Sequence, residues 1–71
     1  MLAREKRQPR LLYDSPEYSI KKIPLNYQIT IKLPHHESHR SIDRRLYTSP
    51  SYGIEFAHEV ANETIDKYFA R

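Results

Sequence analysis

An α+β fold is predicted for this chain: a small three-stranded antiparallel sheet packed on one C-terminal helix, preceded by a basic N-terminal arm. Three observations predict it. Apolar residues recur at steps of three and four near the C-terminus, residues 27–33 alternate strictly between apolar and polar, and arginine and lysine crowd the first ten residues. With 71 residues, one glycine and no cysteine, the chain has room for one small core and no disulfide framework.

The helix is the strongest element. In residues 53–70 (GIEFAHEVANETIDKYFA), Ile54, Ala57, Ala61, Ile65 and Tyr68 line one face, with Phe56 and Val60 beside them. Glu55, Glu59, Glu63 and Asp66 occupy the opposite face, and Lys67 and Arg71 sit near the C-terminal end, where the helix dipole favours cations. In YQITIKL, Tyr27, Ile29, Ile31 and Leu33 point one way and Gln28, Thr30 and Lys32 the other, the signature of a half-buried strand. A β-prone run at 18–23 precedes it across Pro24-Leu25-Asn26, short enough for a hairpin. After a polar loop, residues 41–48 supply a third strand, with Ile42 and Leu46 on one side and Asp43, Arg45 and Tyr47 on the other. Residues 1–16 are read as a flexible arm and 17–71 as the β-β-β-α domain, its helix packing Ile54, Ala57, Ala61 and Ile65 on Ile20, Ile29, Ile31 and Leu46.

Charge is unevenly divided. Residues 1–52 hold ten Lys/Arg against five Asp/Glu, while residues 53–71 hold two against four, so the strand-forming part is the candidate polyanion surface. Arg4, Lys6, Arg7 and Arg10 are candidate phosphate contacts. The polar strand faces offer Lys21, Lys22, Gln28, Thr30, Lys32, Arg44 and Arg45 as candidate DNA contacts: in the major groove glutamine pairs with adenine, arginine or lysine with guanine, and threonine touches the thymine methyl.

A repeat crosses these elements. Residues 10–20 and 44–54 share R-x-L-Y-x-S-P-x-Y-x-I, matching at seven of eleven positions. Two readings are open: a pair of similar proline turns, or a duplicated docking motif presenting Leu12, Tyr13, Pro16, Tyr18, Leu46, Tyr47, Pro50 and Tyr52 to a protein partner.

Catalysis is not expected. No cysteine nucleophile, glycine-flanked serine or glycine-rich phosphate loop is present. His35, His36 and His39 fall in a short polar stretch that is read as a solvated loop and not as a metal site. No cofactor and no small-molecule substrate are expected. With no apolar run long enough to span a bilayer and no apolar signal segment in the first ten residues, an intracellular setting (cytoplasm, nucleoid or nucleus) away from membranes is expected.

The segment RRLYTSPSYGIEFAHEVANETIDKYFAR, with Tyr52, Gly53, Glu55, Ala57 and Ala61 at the helix start, resembles the last strand and helix of Apetala-type (ethylene-response-factor-like) DNA-binding domains. The arrangement of a basic arm, three strands and a helix also resembles the arm-binding domains of lambda-type integrases. The likeness spans about residues 17–70. It departs at Tyr27, where the family usually has tryptophan, and in YSIKKI, which lacks the family's glycine. The resemblance implies a non-catalytic module that reads DNA with its sheet, of phage or mobile-element type, through Lys21 or Lys22, Gln28, Thr30, Lys32 and Arg45. A weaker resemblance, carried by Gln28, Thr30, Lys32 and Pro34, is to ribbon-helix-helix repressors. The alternative function is a small accessory or inhibitory protein-interaction subunit, docking through the repeated motif.

Overall fold

The computed structural model describes residues 9–71 and is a four-stranded antiparallel sheet with one C-terminal helix. The strands are β1 (Arg10–Asp14), β2 (Tyr18–Lys22), β3 (Tyr27–Ile31) and β4 (Arg45–Thr48), in that spatial order, followed by a 3-10 turn (Pro50–Tyr52) and helix α1 (Ile54–Tyr68).

The sheet therefore has four strands where three were expected, because residues 10–14, read as part of the arm, pair with β2. Their alternation is hidden by a bulge. Leu11 faces Lys21 and Tyr13 faces Ile20, so Leu12 is the extra residue and the period-two pattern breaks in the middle of the strand. On an edge strand such a bulge also discourages pairing with a further chain. The last strand is shorter than the expected 41–48: it begins at Arg45, whose N–H donates to the Asp43 carboxylate (3.1 Å) in a side-chain turn.

The two Ser-Pro turns have a common local chemistry. Ser15 Oγ accepts the N–H groups of Glu17 and Tyr18, and Ser49 Oγ accepts the N–H of Ser51. Each hydroxyl thus satisfies backbone donors just after a strand, with proline presetting φ at the next residue. Gly53 follows the second turn at φ 88, a left-handed conformation that a side chain disfavours, and α1 begins at the next residue.

The helix packs on one face of the sheet. Ala57, Ala61 and Ile65 are buried against Ile20, Ile29 and Ile31, as the apolar spacing predicts, with Leu46 and Ile54 half-buried at the margin. The two alanines let the helix axis approach the strands closely. Tyr18 and Phe69 complete the core. Phe69 ends the helix: its backbone turns extended, it bridges His35, and its ring is buried. Residues 32–44 are thereby fastened to the helix end, where His36 N–H donates to Tyr68 O (2.9 Å) and Ala70 N–H to Pro34 O (2.8 Å). No helix among the described residues is long and apolar enough to cross a membrane.

Thr48 closes β4 on the core side, and its Oγ1 is buried without a hydrogen-bond partner. Thr48→Val keeps the shape and removes the stranded hydroxyl. It is expected to stabilise the fold by about 1 kcal/mol, read as a higher urea midpoint at unchanged m-value; an equal or lower midpoint would show that the hydroxyl is satisfied.

Candidate nucleic-acid interface

Because α1 covers one face of the sheet, the other face carries the alternate side chains of every strand. The register aligns them in two cross-strand rows. One row is Leu11, Lys21, Gln28 and Tyr47; the next is Asp14, Ser19, Thr30 and Arg45. Lys32 follows at the end of β3, with its Nζ 2.5 Å from Asp14 Oδ1. Both groups of that pair are well exposed, so the bridge is weak and its partners remain free to exchange.

The seven residues expected from the sequence to touch DNA separate in space. Lys21, Gln28, Thr30 and Arg45 share the open face, and Lys32 borders it. Lys22 has the parity of Tyr18 and Ile20 and lies on the helix side, where its ammonium donates to the Ile23 carbonyl (2.8 Å) and caps the β2–β3 hairpin. Arg44 precedes β4. It donates to the Leu33 carbonyl and lies over the Phe69 ring, 5.7 Å from its centroid, so it seals the core edge beside His35. Arg10 belongs to β1, opposite Lys22, and Arg4, Lys6 and Arg7 lie outside the described residues.

The eight residues of the repeated motif also separate. Tyr18 is buried in the core while its counterpart Tyr52 is exposed; Tyr13 packs inward on Tyr18 and His58 while Tyr47 projects from the open face. Leu12 is the exposed bulge residue, whereas Leu46 borders the core; Pro16 is exposed and Pro50 half-buried. What the copies share in space is the serine turn.

The histidines have structural partners. His35 stacks on Phe69 (4.5 Å between ring centroids) and donates from Nε2 to the Ile42 carbonyl, while His39 meets Tyr68 edge-on. Among the described residues no group of three or more His, Cys, Asp or Glu is arranged to hold a metal ion.

Charge follows the two faces. Lys21, Lys32 and Arg45 mark the sheet side; Glu55, Glu59, Glu63 and Asp66 are exposed on α1, on the back of the molecule. A polyanion approaching the sheet therefore meets cations first, with the acidic helix surface turned away.

Sequence reasoning did not anticipate a polar cluster at the other end of the core. The Tyr18 hydroxyl lies 2.7 Å from His58 Nδ1 and within reach of the Asn62 amide, with the Tyr13 ring against both aromatic groups. Tyr18 and His58 are separated by 40 positions, so no local pattern links them. Burial raises the Tyr18 pKa above the usual tyrosine value, and the neighbouring Tyr13 adds to the rise.

Comparison with protein-family models, curated proteins and solved structures finds no match to this chain.

A tyrosine whose pKa is raised by folding stabilises the native state fully below the unfolded value of about 10 and loses that contribution as pH climbs through the folded value. Urea midpoints should therefore fall above about pH 10, and Tyr18→Phe should flatten that fall while lowering stability near neutrality by about 1 kcal/mol for the lost hydrogen bond. An unchanged alkaline slope in the variant would assign the loss to other tyrosines.

Proposed function

We propose that this chain is a non-catalytic nucleic-acid-binding module, with DNA the ligand expected from its sequence, and that the uncovered face of the sheet makes the contacts. The observation that carries this reading is the division of the molecule into two faces: a helix that completes the core and shows acidic residues to solvent, and a bare sheet face bearing Lys21, Arg45 and Lys32 around Gln28 and Thr30. In a fold stabilised from one side, the second face is free to bind.

Each residue type has a role suited to its chemistry. Lys21 and Arg45 supply positive charge on either side of β3, able to neutralise phosphates or to donate to guanine. Gln28 can donate and accept at once, matching the edge of adenine; Thr30 adds a hydroxyl and a methyl. Lys32 can exchange Asp14 for a phosphate, since its ion pair is exposed.

The protein-docking reading rests on two equivalent copies of the repeated motif. Buried Tyr18 against exposed Tyr52 leaves the copies with dissimilar surfaces, and this favours the sheet face as the functional one.

Replacing Lys21 and Arg45 together with alanine should weaken nucleic-acid binding and reduce the slope of log K against log salt by about 1.4–1.8, the contribution of two phosphate contacts. The urea midpoint should hardly move. Lys67→Ala, on the helix, serves as the control and should leave both affinity and slope unchanged. An unaltered slope in the double variant would remove the sheet face from consideration.

A further inference from the structure

We infer that the ligand of the sheet face is a single strand, and that Tyr47 is the residue on which a base stacks. This inference rests on the sheet face being a nucleic-acid surface and specifies the form of nucleic acid it takes.

The first argument is one of size. Four strands at about 4.8 Å spacing place the outer strand axes roughly 14 Å apart, before side chains are added. The major groove of B-DNA is about 12 Å wide and admits a helix or a narrow ribbon. With β1 in the sheet, the complete face is broader than the groove. A single strand imposes no such limit, because it can lie across the strands.

The second argument is the chemistry of the face. Tyr47 is 54% exposed and projects from β4 beside Gln28 of β3. Tyr47 is in no aromatic pair among the described residues, in contrast to Tyr13, Tyr18, Tyr52 and Tyr68. In a duplex the faces of the bases are already stacked on one another, and an aromatic ring in the groove meets only their edges. In a single strand the faces are open, and an exposed tyrosine on a sheet is a stacking platform.

The third argument is the arrangement around that ring. Arg45 lies two residues earlier on the same face of β4, about 7 Å along the strand, near enough to hold the phosphate of a nucleotide whose base rests on Tyr47. Between Arg45 and Asp14 the row is completed by Thr30, which is half-buried, and by Ser19, which is buried. Lys21 and Gln28 lie on one side of this row, and on the other Lys32 reaches across β2 to its ion pair with Asp14. A strand laid over β3 would thus have Lys21 and Arg45 on either side and Gln28 and Thr30 beneath.

The test uses the full chain and three fluorescent probes: a 12-nucleotide oligo-dT, a 12-nucleotide oligo-U and a mixed-sequence duplex, each followed by anisotropy at two salt concentrations. At least one single strand should bind ten-fold or more tighter than the duplex, and the comparison of the two strands assigns DNA or RNA. Tyr47→Ala should weaken single-strand binding by about ten-fold or more, as loss of one base–aromatic stack does, whereas Tyr47→Phe should stay within about two-fold of the parent. Tyr47 is exposed on an edge strand, so an unchanged urea midpoint in both variants will show the fold intact. Duplex binding tighter than either strand, or single-strand binding indifferent to Tyr47→Ala, overturns the inference while leaving the sheet-face reading in place. Absence of binding to all three probes overturns both.

Discussion

The packing of Ala57, Ala61, Ile65 and Phe69 against one face of the sheet is the constraint on which the rest of the molecule depends. These four residues recur at intervals of four, so the stripe they form is narrow. Small side chains in its first half and larger ones in its second half pack with Ile20, Ile29 and Ile31 in one core. Among the described residues α1 is the only helix longer than one turn, and no second layer lies on the sheet. With α1 on one face, the other face is uncovered by any element among the described residues.

The end of the helix is held by chemistry that a short stripe alone would not provide. Phe69 leaves the helical path, enters the core and is enclosed by His35 and Arg44, which come from the connection between β3 and β4. Arg71 then reaches Asp66 (2.7 Å) and Glu17 (3.3 Å), linking the C-terminal residues to the turn between β1 and β2. The β3–β4 connection itself is held to the helix end by the His36–Tyr68 and Ala70–Pro34 backbone bonds. His35 and Arg44, which have the residue types of a binding site, are used to finish the core.

The same division of labour explains the electrostatics. Acidic residues can accumulate on α1 because that surface contributes neither to the core nor to the open sheet face, while Lys21 of β2 and Arg45 of β4 are brought to one face by strand register. Lys21 and Arg45 come from strands that are not neighbours, yet both flank β3. Glu55, Glu59, Glu63 and Asp66 of α1 thus lie away from the face that carries Lys21 and Arg45.

Those features governed by local repetition were determined by the sequence itself. The helix, the alternation of residues 27–31, the apolar partners of the core and the outward direction of Gln28, Thr30, Arg45 and Tyr47 all follow from periods of 3.6 and 2, which neighbouring residues impose on one another. Tertiary structure decided what such periods cannot express. The bulge at Leu12 hid β1 by breaking its alternation; Arg44 was drawn away from the open face by the Leu33 carbonyl and the distant Phe69 ring; and Tyr18 met His58 across 40 residues. The two halves of the repeated motif diverged for the same reason. Their serines act on backbone groups two or three residues away and behave alike, whereas the environment of each tyrosine is set by which strand or helix comes to lie beside it.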